Sequence, residues 1–317
     1  MPVLYLTEAD VAQVLTMDLA LDAVSTAFRK LALEEAVNIP RQRCQTDQVM
    51  LHVLPAAAKT LGAIGFKAYT TSKHGAQFQV VLFDPTQGGI SVVLEADLLG
   101  QFRTGAASGI ATKKLARPDA ASVGCFGTGK QARTQLLAIC KVRAVKKVHV
   151  YSRDAARRSA FATQLAQEMG VEVFPVEKPE DAAKGLDILV TATNSRDPVL
   201  FGEWVSPGQH INLIGSNFIG KAEADIAVFR KATVVTVDSK EQAKAEAGDF
   251  VTALNAGMLH WSDILELAPL LVGRYPGREM PEDVTVFKSL GLGIEDIALA
   301  VRVVELARQQ GIGREIL

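Results

Sequence analysis

Apolar positions recur along this chain with two different periods, and the change from one to the other marks its organisation. Near the start, Thr7-Glu8-Ala9-Asp10 has the form of a capping box opening a short helix. Over residues 18–35, Leu21, Val24, Phe28 and Leu31 recur at helical spacing and predict a longer helix with one stripe turned to a core. Asn38-Ile39-Pro40 breaks that helix. Short β-rich runs then follow at residues 49–54, 62–70, 77–84 and 90–94, and the turn Asp84-Pro85-Thr86-Gln87-Gly88-Gly89 joins the last two. They read as an antiparallel meander. Residues 100–112 are rich in small side chains and predict a close-packing helix opened by Arg103 and Thr104. Arg117-Pro118-Asp119 ends it, and the expected domain boundary lies there.

Beyond residue 119 the rhythm becomes an alternation of strand and helix. Strands are expected before Gly127 and at residues 146–152, 171–176, 188–193, 210–215 and 233–238, with helices at 130–141 and 154–169. That alternation predicts an α/β Rossmann fold, a doubly wound parallel sheet, over residues 119–291. Residues 1–118 with 292–317 are expected to form an α+β domain for substrate binding and dimerisation. The second period is pinned by Gly127-Thr128-Gly129-Lys130-Gln131-Ala132, which fits the G-x-G-x-x-G/A spacing between a strand and a helix. In such a turn the first glycine makes the bend, the second admits a pyrophosphate and the third small residue brings the helix onto the strand. Thr191, Thr193, Gly215 and Ser216, at later strand ends, join these six as expected cofactor contacts.

Composition changes this picture little. The chain has 317 residues, 48% of them hydrophobic and 22% charged, which is ordinary for a globular protein of two domains. A net charge of −1 gives no reason to expect nucleic acid or an anionic membrane as partner. Cys44, Cys125 and Cys140 show no metal-like spacing and leave one unpaired, so a reduced, cytoplasmic protein is expected. The N-terminus has no basic-then-apolar leader, and no apolar run is long enough to span a bilayer. His52, His74, His149, His210 and His260 are scattered, which argues against a metal hydrolase. No G-x-S-x-G elbow points to a serine hydrolase.

Four basic positions carry candidate chemistry, each beside a plainer reading. Arg41 and Arg43 alternate with Gln42, so an extended strand turns both to one face, either solvated or lining a carboxylate site. Lys67 is the one charge in a mostly apolar strand; it either snorkels from an edge or sits buried with a shifted pKa, able to give a proton. Arg103, at the head of the small-residue helix, is either a solvated helix end or a cation at an anion site. His52, alone in an apolar strand, is more often a satisfied core residue than a catalyst. At the end of the second Rossmann strand, where a dinucleotide-binding turn places an acid to hold a ribose 2′-hydroxyl, this chain has Ser152-Arg153. A hydroxyl and a guanidinium suit a 2′-phosphate, so NADP is favoured over NAD. Asp154 qualifies this, as either helix cap or ribose acceptor.

Taken together, the sequence resembles the ornithine cyclodeaminase/mu-crystallin family over nearly its whole length. The resemblance rests on Phe66-Lys67, Phe102-Arg103-Thr104-Gly105-Ala106-Ala107-Ser108, the glycine turn, Leu200-Phe-Gly-Glu-Trp-Val205, Pro207-Gly-Gln-His-Ile-Asn212, Val237-Asp-Ser239, and Val286-Phe-Lys-Ser-Leu-Gly291 with Glu295-Asp296. It implies a homodimeric oxidoreductase exchanging hydride between a nicotinamide and an α-carbon bearing nitrogen and a carboxylate. It also implies a carboxylate held by Arg103 with Arg41 or Arg43, and Lys67 hydrogen-bonding that carboxylate and helping to protonate the nitrogen. Within the family's range lie imino acid reduction, alanine dehydrogenation, ornithine cyclisation to proline, and non-catalytic crystallin-like ligand binding. Asn217 stands where the cyclising members carry an Asp that acts as base, and an amide is no base. His52 stands where ornithine-converting relatives carry a Glu; it is the other catalytic candidate, as an alternative proton source. Losing both carboxylates favours an NAD(P)H-dependent reductase of a ketimine or cyclic imino acid over a cyclodeaminase.

Overall fold

A computed structural model describes residues 2–316 and divides the chain into two compact units, 1–106 with 291–317 and 107–290. The first unit begins with β1 (Val3–Leu6), α1 (Glu8–Val14) and α2 (Met17–Ala32). The capping box is present: Thr7 accepts from the Asp10 amide while Asp10 accepts from that of Thr7. Strands β2 (Ala36–Asn38), β3 (Gln42–Gln45), β4 (Val49–Ala58), β5 (Ala63–Ser72), β6 (Gly75–Phe83) and β7 (Ile90–Glu95) follow. β4 to β7 form the expected antiparallel meander. β1 adds to β7 in parallel, while β2 and β3 both pair with β4.

Helix α3 spans Asp97–Leu115, so Arg103 lies about two turns inside it rather than at its head. The reason is a cap from outside the local sequence. Glu8 of α1 accepts from the backbone amides of Asp97 (2.5 Å) and Leu98 (3.0 Å), satisfying two of the donors a helix start leaves open. The division between the two units falls within α3, at Ala106/Ala107, where the sequence pattern suggests the turn at Pro118.

The second unit carries β8 (Ser122–Phe126), α4 (Lys130–Val142), β9 (Lys147–Tyr151), α5 (Ala155–Met169), β10 (Glu172–Pro175), β11 (Ile188–Thr191) and β12 (His210–Leu213). It continues through α6 (Ile226–Lys231), β13 (Val234–Val237), α7 (Lys240–Glu246), α8 (Gly248–Asn255), β14 (Ile264–Glu266), α9 (Leu267–Leu271) and β15 (Thr285–Lys288). The sheet is wholly parallel, in the order β10-β9-β8-β11-β12-β15-β13-β14. Its first six strands have the order of the doubly wound dinucleotide fold. β8, β11, β12 and β15 are buried along their whole length, as strands covered on both faces must be. Leu189, Ile211 and Val286 feed one core layer; Val123, Val148, Ile188 and Val190 feed the other.

The chain then returns to the first unit with α10 (Gly293–Gln310) and β16 (Arg314–Ile316). Helix α10 packs on β4, β5 and α2, and its first two turns are buried all round. Gly293 is needed there because a Cβ would lie 2.6 Å from the Leu54 carbonyl oxygen. No single helix among the described residues is long and apolar enough to cross a membrane.

Candidate active site

Strand β5 alternates inward and outward, and Lys67 falls on its inward face with Ala63 and Gly65. The side chain is 3% exposed, and its Nζ donates to Asp296 Oδ1 at 2.8 Å. Room for the amine comes from α3: a Cβ on Gly100 would lie 2.7 Å from Lys67 Nζ. Arg103, one turn of α3 further on, donates through Nε to the same Asp296 oxygen (3.0 Å) and through Nη1 to Glu295 Oε2 (3.0 Å). Gly291 leaves room for that guanidinium, since a Cβ there would overlap Nη1 at 2.3 Å. Arg41, buried just before β3, donates to the Gly291 carbonyl at 3.1 Å.

Three cations therefore meet two carboxylates, leaving the buried cluster one positive charge in excess. Burial lowers the Lys67 pKa, Asp296 raises it, and Arg103 and Arg41 lower it again, leaving it at about 8. Burial also acts against the Arg103 charge, but Asp296 and Glu295 outweigh it and hold Arg103 above its usual value.

The two N-terminal arginines go to different places. Arg41 joins the cluster; Arg43, on β3, donates through Nε to His52 Nδ1 at 3.1 Å across the β3–β4 pair. His52 is fully buried, stacks on Tyr69 at 4.1 Å and lies 3.2 Å from Thr71 Oγ1 through Nε2. Burial, reinforced by the Arg43 and Arg41 charges, pulls its pKa to about 4. An imidazole held neutral and accepting from Arg43 has no imidazolium proton to give at neutral pH. These contacts are those of a satisfied core residue, the plainer of its two readings.

In the second unit, Gly127, Thr128, Gly129, Lys130, Gln131, Ser152, Arg153 and Thr193 line a groove of about 590 Å³ at the carboxyl ends of β8, β9 and β11. Gly127 has φ +117°, and a Cβ there would sit 2.4 Å from the Ala192 carbonyl oxygen. Nothing lies within 4 Å of a Cβ built on Gly129, and that residue provides no side-chain cap for α4. An open second glycine before an uncapped helix start is the arrangement that accepts a pyrophosphate. Asp154 is the N-cap of α5, accepting from the Arg157 amide at 3.0 Å, and lies 3.6 Å from Arg157 Nε. Tyr151, Arg157, Asn194 and Ser195 line the groove beyond the residues expected from sequence.

Ala132, Thr191, Gly215 and Ser216 do not line the groove. Ala132 lies on the buried face of α4, where its small side chain serves helix–strand packing. Thr191 donates to buried Glu223 at 2.8 Å, and the Gly215 amide donates to the same carboxylate at 2.5 Å. Ser216 offers its carbonyl to Lys288 Nζ at 2.7 Å. Asn217 lies in the loop after β12, partly buried. Among the described residues no cluster of His, Cys, Asp or Glu could hold a metal ion.

A parallel sheet of this order, with an open glycine turn at its crossover, defines a Rossmann dinucleotide-binding protein that carries a second, α+β unit. The chain belongs to the ornithine cyclodeaminase/mu-crystallin family, whose model matches residues 3–311. It is 36% identical over 272 residues to the Delta(1)-pyrroline-2-carboxylate reductase of Bacillus cereus, covering 83% of each chain. Among solved structures it resembles the Thermococcus litoralis Delta(1)-pyrroline-2-carboxylate reductase in complex with NADH and L-proline, with 32% identity and TM-score 0.95 over 99% of this chain and 100% of that one. It also resembles an archaeal alanine dehydrogenase dimer with bound NAD, with 34% identity and TM-score 0.94 over 100% of this chain and 99% of that one.

Proposed function

We propose that the protein is a nicotinamide-dependent oxidoreductase that reduces an α-imino acid to an L-amino acid, with NADPH favoured over NADH. One observation carries the reading: the buried cluster of Arg41, Lys67, Arg103, Glu295 and Asp296 has one positive charge in excess, which is neutralised by a single carboxylate. Donors remain for it. Lys67 engages one of its three N–H groups with Asp296, and Arg103 uses Nε and Nη1. The relatives' names, a pyrroline-carboxylate reductase and an alanine dehydrogenase, share this chemistry of a nitrogen and a carboxylate on one carbon.

Arg103 and Arg41 anchor the substrate carboxylate, by charge and by the fork geometry of the guanidinium. Lys67 holds the same anion and passes a proton to the imine nitrogen, becoming a neutral amine that solvent reprotonates. When bound, reduced nicotinamide supplies the hydride to the C=N carbon. Ser152, Arg153 and Arg157 suit a 2′-phosphate, because Asp154 is engaged as a helix cap and no other carboxylate lies among the groove-lining residues. Asn217 has no carboxylate to free a side-chain amine, so ornithine is not cyclised.

The protein is proposed to act as a homodimer, as the alanine dehydrogenase does. Val37, Ala57 and Ile64 lie side by side across β2, β4 and β5, with Val37 and Ile64 57% and 44% exposed, an apolar strip suited to self-association. The deciding experiment supplies NADPH or NADH with five- and six-membered cyclic imino acids and with pyruvate plus ammonia or methylamine, following loss of the reduced cofactor. Turnover with at least one imino acid is expected, faster with NADPH; no oxidation with any of them overturns the assignment.

A further inference from the structure

Outside the groove, the second unit buries a connected set of ionisable side chains that hydride transfer does not use, Glu223, Asp249 and Lys288, each at most 2% exposed. Glu223 receives four hydrogen bonds. Thr191 Oγ1 (2.8 Å), the Thr193 amide (2.7 Å) and Thr193 Oγ1 (2.7 Å) come from the end of β11 and the segment after it. The fourth comes from the Gly215 amide (2.5 Å) beyond β12. Gly215 must be glycine for this contact, since a Cβ would fall 2.3 Å from Glu223 Oε1 and 2.2 Å from the Thr193 carbonyl oxygen.

Glu223 is itself fixed from behind. Its own amide and that of Ala224 donate to Asp249 Oδ1 at 2.6 and 3.2 Å. Asp249 Oδ2 pairs with Lys288 Nζ at 2.7 Å, and the same ammonium donates to the Ser216 carbonyl. One buried chain thus ties the segments after β11 and β12 to β15 and α8.

Those two segments hold a definite place in a doubly wound sheet. Ser152 and Arg153, at the end of β9, mark the adenosine side of the groove, and the glycine turn after β8 takes the pyrophosphate. The strand order places β11 and β12 on the opposite side, under the other half of the dinucleotide. Thr193, the residue Glu223 grips twice, lines the groove there. We propose that Glu223 is a positioning residue for the nicotinamide half of the cofactor, clamping the 193 and 215 segments into one floor from beneath, with Asp249 and Lys288 as its anchor. The proposal rests on the dinucleotide reading of this groove.

The test compares binding of NADPH with that of 2′-phospho-ADP-ribose, which shares everything except the nicotinamide, by titration calorimetry of the intact protein. Glu223→Gln places an amide N–H₂ against donors and loosens the clamp; Thr193→Val removes the hydroxyl's bond to Glu223, together with the one it accepts from the Ser195 amide, and leaves the other three bonds to Glu223. Glu223→Gln is expected to weaken NADPH by about tenfold or more while changing 2′-phospho-ADP-ribose by less than about twofold. Thr193→Val is expected to show a smaller loss in the same sense, which tests the clamp even if the first variant folds poorly. Equal losses for both ligands would mean a merely structural carboxylate and overturn the proposal, as would no loss for NADPH. Failure of the parent protein to bind either ligand would instead remove the dinucleotide reading itself.

Discussion

Replacing Lys67 by methionine separates what its ammonium does from what its stem packs against. The change takes the buried cluster from one positive charge in excess to balance, with Arg41 and Arg103 facing Glu295 and Asp296. Asp296 keeps Arg103 Nε at 3.0 Å, so no buried carboxylate is stranded. The loss of stability should therefore stay below the about 3–5 kcal/mol typical of a stranded buried charge. The substrate carboxylate loses a charge-assisted hydrogen bond of about 1.5–3 kcal/mol, which raises KM roughly 10- to 150-fold. The imine nitrogen loses its proton donor, which lowers kcat by about 100- to 10,000-fold. Together kcat/KM falls by about 1,000-fold or more. NADPH affinity stays unchanged, because the groove lining is contributed by the second unit. Steady-state imine reduction and calorimetric titration with NADPH read the two quantities separately. A variant that keeps kcat/KM within about tenfold of the parent removes the lysine from the mechanism.

In the proposed mechanism the same lysine sets the pH dependence. Imine reduction needs it protonated, so with a pKa of about 8 the kcat/KM for reduction is level below that pH and falls above it, while oxidation of the amino acid, which needs the neutral amine, rises through the same pH. Profiles without opposite limbs there contradict the assignment; His52, at about 4, adds no limb near neutrality. Arg153→Asp should weaken NADPH by roughly 10- to 100-fold and leave NADH nearly unaffected, measured as dissociation constants. Incubation with L-ornithine and NAD should release neither proline nor ammonia; detection of both would reinstate a cyclodeaminase. Asp249→Asn strands the buried Lys288 ammonium and should cost about 3–5 kcal/mol in urea unfolding of the second unit, with Lys288→Met on that background recovering part of the loss.

The Rossmann half is legible because a sheet covered on both faces requires unbroken apolar strands, and those runs survive in sequence whatever surrounds them. The exceptions have local causes. β15 holds Lys288 at its end, and a charge in a four-residue run hides a buried strand whose partner, Asp249, lies on a different element. β14 is three residues long, too short for any period to show. The start of α3 is hidden for another reason. Reading from Gly100 relies on the small residues that follow, but the actual beginning is set by Glu8, 89 residues away from the Asp97 amide it caps. A local window contains the helix and not its cap.

The buried charged cluster divides along the same line. Lys67 is visible as an anomaly, the one charge in an apolar strand, and Glu295-Asp296 is a second, two acids opening a helix among Leu290, Leu292, Ile294 and Ile297. Each is implausible as a buried residue by itself, since an unpaired charge in a protein interior is neutralised or expelled. Lys67 and Asp296 account for each other across 229 residues of chain, and only folding brings them to 2.8 Å. What no pairing of sequence anomalies can supply is the charge count. It takes the structure to draw Arg41 in and to send Arg43 to His52 instead, so that the cluster holds three cations and two carboxylates. A buried excess of positive charge is unfavourable by itself and is relieved by an anion. On the proposed reading, that charge selects a carboxylate before any contact with the rest of the substrate is made.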